Sequence, residues 1–271
     1  MTKLWQKKGQ KLNPTVEAYT VGDDWKSDKV ILPYDLKASD AHAHMLYKIG
    51  ILSKNELTKI SLALDELLVL ANKGELEIQI EDEDCHTLIE NKLTEKLGDV
   101  GKKIHTGRSR NDQILVALRL FMKDKLTLVD ETLNVLAEEF FTYAKKYKNI
   151  PFPGYTHMQQ AMLSSLGLYF GAFAESLSDD AILLKSIKTH IDQNPLGSAA
   201  GYGVTLPLDR DFTTQKLGFK KVQYNALYCQ NSRGKFESLV LEGLTQVMLT
   251  LSRFASDMLF FTSRECGYFS L

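Results

Sequence analysis

Residues 104–113 read Ile-His-Thr-Gly-Arg-Ser-Arg-Asn-Asp-Gln, and from Asp112 to Tyr147 the chain then runs without a glycine or proline. Within that run apolar residues fall at Ile114, Leu115, Leu118, Phe121, Met122, Leu126, Val129, Leu133, Leu136, Phe140 and Tyr143. This is helical spacing. At about 1.5 Å per residue the helix would be on the order of 50 Å long. The residues ahead of it sit where a helix start leaves N–H groups free and carries partial positive charge. Arginines there add planar recognition of carboxylates. Two readings stay open on residue types alone: a site for a small polyanion such as a dicarboxylate, or a solvated basic loop with Asn111 or Asp112 as an ordinary N-cap.

Working outward, the chain reads as helical almost throughout. The spacing predicts a helix over about Leu36–Ile49, stopped at Gly50. Ser53 and Glu56 form a capping-box pattern for the next helix, and Gly74 stands where a C′ glycine belongs. A third helix is expected after Asp82, to about Leu97, stopped at Gly98. These short helices make a small N-terminal helical domain over residues 1–103. Residues 104–271 form a central bundle, with further long helices over about Met158–Ile191 and Gly234–Arg264. The only strand-like piece is near Leu76–Ile80. The expected fold class is therefore all-α. The stretch Ile114–Met122 is apolar nearly all round apart from Arg119, which calls for cover on several sides. We read this as a bundle shared between subunits of a homo-oligomer.

The bulk properties exclude several classes. Of 271 residues, 44% are hydrophobic and 25% charged, as in ordinary globular chains, and the formal net charge of -1 favours neither nucleic acid nor an anionic membrane. Cys85, Cys229 and Cys266 are odd in number and widely spaced, which fits a reducing compartment better than a disulfide framework or zinc ribbon. The first ten residues lack the apolar core of a signal peptide, and no stretch is apolar enough to span a bilayer. The expectation is a cytoplasmic protein without membrane or nucleic-acid partners.

His157, beside Thr156 at a helix-breaking segment, is the sharpest candidate for moving protons, although a lone histidine is more often structural. His86 lies in Glu83-Asp-Cys-His86, whose acids could raise its basicity or merely cap a helix. His42 and His44 fall on different helix faces and make no metal pair. Gly197, Gly201 and Gly203 could bring backbone N–H groups to an anion or form a plain connector. No metal-ligand motif, Walker loop or dinucleotide fingerprint is present.

His105-Thr-Gly-Arg-Ser-Arg-Asn-Asp-Gln113 resembles the first signature of the argininosuccinate lyase family, within the fumarase/aspartase superfamily. Gly154-Tyr-Thr-His-Met-Gln159 resembles the second signature. Asn194-Pro-Leu-Gly-Ser-Ala-Ala200 and Pro207-Leu-Asp-Arg210 look like the segment ahead of the third, and Glu83–His86 is similar to an acidic-histidine stretch of these enzymes. The resemblance implies a carbon-nitrogen lyase of arginine biosynthesis that reversibly splits argininosuccinate into L-arginine and fumarate. It implies His157 as a catalytic proton carrier, with Ser109, Arg110, Asn111, Thr156, His86 and Arg233 around the substrate. No metal or organic cofactor is expected. The resemblance also implies a homotetramer in which each active site collects signatures from three different subunits.

Some positions depart from the family pattern. Asp24 aligns with a family serine, and Arg233-Gly234 replaces Arg-Asp. The third signature, which carries a second proton-transfer serine, would follow Leu271, so the 271-residue chain alone is expected to be inactive. A non-catalytic structural relative or assembly fragment, and a lyase for another succinyl substrate, are the alternatives.

Overall fold

The computed structural model describes residues 22–270, together with Thr15 and Tyr19. The leader reading of the first ten residues lies outside them. Helices dominate, in agreement with an all-α class. The principal ones are α1 (Leu32–Lys48), α2 (Lys54–Lys73), α3 (Cys85–Leu97), α4 (Arg110–Lys146), α5 (Leu166–Ile191), α6 (Arg210–Lys216), α7 (Ala226–Asn231) and α8 (Lys235–Phe261). No described helix is long and apolar enough to cross a membrane.

The chain divides into two compact units: residues 1–121 with 192–233, and residues 122–191 with 234–271. Segment 1–103 thus lies within the first unit. There the capping signals act as expected. The Ser53 hydroxyl accepts from the Glu56 N–H at 3.3 Å, the Glu56 carboxylate accepts from the Ser53 N–H at 2.8 Å, and Gly74 closes α2 with φ +72°. Leu36, Leu46, Ile60, Leu64, Leu93 and Ile104 fill the core between α1, α2 and α3.

The beginning of α4 belongs to this unit and removes one argument for a homo-oligomer. Leu115, Val116 and Ala117 are fully buried. Ile114, Leu118 and Phe121 pack on the main core, and Val116 and Leu120 on a smaller one with Ala38, Leu196 and Phe219. Arg119 is fully buried too, donating to the Gln193 carbonyl and the Ser232 hydroxyl, both at 3.0 Å. The stretch Ile114–Met122 is therefore covered by its own chain and gives no argument for other subunits. A short parallel pairing of β3 (Gln193–Asn194) with β4 (Lys221–Val222) completes the unit.

In the second unit, α5 buries Leu177, Ala181, Leu184, Ile187 and Ile191 at helical spacing. It packs closely on α8: a Cβ on Gly243 would lie 3.0 Å from Leu184 Cδ2 and closer still to Ile187 Cδ1. Aromatic rings fill one end, with Phe140 edge-on to Phe254 at 4.9 Å and Phe152 edge-on to Phe261 at 5.0 Å. The helix expected from Met158 begins only at Leu166. Residues before it form an antiparallel hairpin, β1 (Pro151–Thr156) with β2 (Gln159–Ser165). Leu76–Ile80 is not a strand, and the observed strands lie elsewhere. Exposed apolar residues collect here, among them Leu128, Val135, Leu168, Ile182, Leu241 and Met248.

Candidate active site

The first signature is anchored on three sides within the first unit. One anchor is a polar stripe on α1. Asp35, Ser39 and His42 are spaced i, i+4 and i+7, so they share a face, and all three are fully buried. The Arg108 guanidinium donates to the Ser39 hydroxyl at 2.9 Å and to Asp35 Oδ1 at 3.4 Å. His42 Nε2 meets the Thr106 carbonyl at 2.9 Å, which makes that nitrogen the donor. Burial, reinforced by Arg108, pushes the His42 pKa down to about 3, so this ring is neutral.

His86 belongs to the same network, 2.7 Å from Asp35 Oδ2 through Nδ1. Burial disfavours both charges, but their attraction and hydrogen bond outweigh it. Asp35 is held below the ordinary carboxylate range, helped by Arg108, and His86 is raised. The acids of Glu83–His86 do cap a helix, since Asp84 Oδ1 accepts from the Thr87 N–H at 2.8 Å. Burial also pushes the Cys85 thiol up, which makes it a poor nucleophile. Asp35, Cys85 and His86 bring three donor atoms within 4.8 Å of one another. The Arg108 guanidinium on the same carboxylate opposes a cation there, and we read the group as a buried ion pair.

A second anchor holds Arg110. Its guanidinium reaches Glu83 at 3.3 Å and Asp84 at 3.4 Å and donates to the Thr87 hydroxyl. Arg110 is thus engaged with carboxylates of its own chain at the start of α3. The third anchor is the helix cap. Ser109, rather than Asn111 or Asp112, occupies the N-cap position of α4: its hydroxyl accepts from the Asn111 N–H at 3.3 Å, and Asp112 Oδ1 accepts from the Ser109 N–H at 2.9 Å. Asn111 Nδ2 donates to the same hydroxyl at 3.2 Å. Arg233, exposed after α7, donates to the Asn111 carbonyl at 3.3 Å.

The glycine segment does not offer its N–H groups outward. Gly197 and Ala199 donate to Asp112 Oδ2 at 2.9 and 3.0 Å, and Gly201 and Gly203 donate to the Ser198 carbonyl at 3.0 Å. Arg210 clamps the same segment by donating to the carbonyls of Leu196 at 2.9 Å and Gln223 at 2.8 Å. Of the two readings of these glycines, the anion cradle is set aside: Gly197 meets an internal carboxylate, and Gly201 and Gly203 meet a backbone carbonyl.

Thr156 and His157 lie in the second unit, at the exposed tip of the hairpin. His157 was expected at a loop-to-helix junction and is instead a turn residue. His157 has φ +53° and Met158 φ +60°, both in the left-handed region, the pattern of a two-residue type I′ turn. Asn-Gly is the usual pair there. Two side-chain-bearing residues cost roughly 1–2 kcal/mol each. Such an outlier points to a demand other than stability. Among the described residues the His157 imidazole makes no hydrogen bond. Asp24 is exposed near the start of the described chain. Gly234 has φ +81°, a conformation that suits glycine better than the aspartate of the family pattern.

Reasoning on sequence alone missed Asp35, Ser39, His42 and Asp112 as supports of the signature. A polar residue on the apolar face of α1 was the available signal.

Comparisons with known proteins identify the family. The family described as lyase matches residues 10–271. The chain is 48% identical over 269 residues to an argininosuccinate lyase of Thermotoga neapolitana, covering 99% of this chain and 67% of that protein. It is 46% identical over 268 residues to an argininosuccinate lyase of Stenotrophomonas maltophilia, covering 62% of that protein. A solved structure of an EDDS lyase variant with bound fumarate superposes with a TM-score of 0.81 at 27% identity, over 96% of this chain and 51% of that one. The chain therefore spans between 51% and 67% of the length of these relatives. With the lyase family matching residues 10–271 and a curated relative 48% identical over 99% of this chain, the chain belongs to the argininosuccinate lyase family of the fumarase/aspartase superfamily.

Proposed function

We propose that these residues serve the reversible elimination of argininosuccinate to L-arginine and fumarate, in arginine biosynthesis. A base takes the proton from the carbon next to a carboxylate, that electron pair forms the C=C of fumarate as the C–N bond breaks, and the leaving guanidine nitrogen takes a second proton from a general acid. That carbon acid is too weak to ionise unless the developing dianion is met by donors already in place. The observation that carries the reading is the Ser109 hydroxyl. It accepts from both nitrogens of Asn111, so its own proton remains to be donated, at the positive end of a 37-residue helix. Ser109, the Asn111 amide and Thr156 supply neutral donors, and Arg233 supplies charge. His86 acts from within its buried pair, and Arg110 binds substrate only by exchanging Glu83 and Asp84 for a substrate carboxylate.

His157 carries one of the two protons, and its strained, unpaired setting supports that role. The other falls, on the resemblance, to the serine of the third signature, so we infer that residues 1–271 alone do not turn over. The names of the relatives, and the fumarate bound to the EDDS lyase variant, support a dicarboxylate product. A homotetramer with shared sites is the inferred assembly. Its support is the exposed pairs Leu128/Val135 and Leu241/Met248, each seven residues apart on one helix. A cytoplasmic location is inferred from the three free cysteines.

The test is turnover of argininosuccinate by the full-length protein, followed by fumarate absorbance. His157→Asn is expected to lower kcat by about 10²–10⁴. Full activity in that variant removes His157 from the chemistry. A wild-type protein that leaves argininosuccinate intact but splits another N-succinyl amine favours the alternative lyase, and one that splits neither favours a non-catalytic role.

A further inference from the structure

Asp112 is fully buried, yet its carboxylate holds two separate pieces of chain. Oδ1 accepts from the Ser109 N–H at 2.9 Å, and Oδ2 accepts from the N–H groups of Gly197 and Ala199 at 2.9 and 3.0 Å. The receiving segment is shaped for this. Gly197 has φ +87° and Ala199, which carries a side chain, has φ +51°. Successive N–H groups bent this way form a concave anion nest. A Cβ at Gly197 would lie 3.0 Å from Arg210 Cγ, a tight contact that adds to the positive φ in favouring glycine there. Gln230 Nε2 donates to the Ala199 carbonyl at 3.3 Å and Arg233 to the Asn111 carbonyl at 3.3 Å, which ties the same two pieces together from α7 and the residues after it.

We propose that Asp112 is a positioning residue for the elimination, its carboxylate locking the Ser109–Asn111 donors to the 197–199 nest. The proposal rests on the function argued above and extends it to a residue that touches no substrate. Only a carboxylate fits the role. Three N–H donors converge on it, and an amide at this place would offer one acceptor oxygen and turn an N–H₂ group toward a donor. Donors to a developing dianion matter most in the transition state, so their misplacement lowers kcat while KM changes little.

The experiment compares wild type, Asp112→Asn and Ala199→Gly in the full-length protein, by steady-state kinetics with argininosuccinate and by hydrogen exchange of the peptide spanning residues 196–200. In Asp112→Asn, kcat per assembled molecule is expected to fall on the order of 10²-fold with KM within about threefold. Exchange at Gly197 and Ala199 is expected to rise by at least about tenfold. Ala199→Gly keeps the N–H that meets Asp112, so the amide of Gly197 is expected to stay protected within about threefold of wild type. An assembled Asp112→Asn enzyme with kcat within about threefold of wild type overturns the proposal, as does an equal fall in stability and activity without a kcat-specific loss. If Asp112→Asn does not assemble, the wild-type exchange decides: amides of 197 and 199 that exchange as fast as the open 204–206 stretch overturn the lock. Absence of any wild-type turnover sinks the functional reading, and the exchange measurement still judges the clamp.

Discussion

The start of α4 and the tip of the hairpin solve opposite problems. At the start of α4 every charge has a partner within the first unit: Arg108 with Asp35, Arg110 with Glu83 and Asp84, and Asp112 with three N–H groups. At the hairpin tip, His157 has none among the described residues, and Met158 is 74% exposed. The first region is prepared by its own chain. The second holds its side chain out on a strained turn, beside the exposed apolar residues Met162 and Leu163. One region has its polar groups fixed by its own chain, and the other leaves an imidazole without a hydrogen bond among the described residues. The same contrast runs through the helices, because the apolar stretch at the start of α4 is covered while stripes on the later helices are bare.

That contrast can be broken most sharply by moving a charge onto each kind of apolar surface. Leu118 packs on the core of the first unit, so Leu118→Asp is expected to cost several kcal/mol, about 3–5, and to unfold the unit, seen as lost helical circular dichroism. Met248→Asp, on the bare face of α8, is expected to leave helicity intact and dissociate the assembly in light scattering. Unfolding by Met248→Asp, or clean dissociation by Leu118→Asp, would reverse the assignment of the two surfaces.

A smaller effect should appear with pH. His42 titrates near 3 in the folded protein and near its ordinary value of 6.5 when unfolded. Between those values the unfolded chain binds a proton that the folded one refuses, so stability falls as pH drops from about 6.5 toward 3. The His86 contribution runs the other way: it is fully present below 6.5 and lost as pH rises through the raised folded value. Asp35, held low, loses its contribution only as pH falls through its depressed value. Burial raises Asp28 and Asp112, which therefore favour the folded state as acid is added. The wild-type minus His42→Gln difference isolates the single ring, and urea midpoints between pH 7 and 4 are expected to decline less steeply in the variant. Parallel curves would mean that His42 accepts a proton without penalty.

The smallest expected change is a gain. Met158→Gly relieves one left-handed residue and should raise the thermal midpoint by an amount corresponding to roughly 1 kcal/mol. No gain would show that the turn is not strained at that residue.

What could be read from sequence was mostly local. Ser53, Glu56 and Gly74 act through hydrogen bonds three to five residues away, so their pattern carries the helix with it. The hairpin hid because its turn is His-Met rather than Asn-Gly, and because Met162 and Leu163 extend the apolar pattern of α5 backward. The supports of the signature hid for another reason. Asp35, His42 and Asp112 meet partners 51, 64 and 85 positions away, and nothing within a helix turn announces such a contact. Ser109, Asn111 and His157 are singled out only through the family resemblance, since their residue types alone leave bland readings open.

The turn at 157–158 also sets how this chain tolerates change. Position 158 asks only for a backbone shape, so glycine, asparagine or aspartate should all serve there, and a saturation library selected for arginine prototrophy should fill it with those residues. On the role proposed for His157, position 157 asks for the same shape and an imidazole together. Histidine is among the few residue types enriched at positive φ. The library should therefore return a single residue at one site and a conformational class at its neighbour, two adjacent columns constrained by different physics.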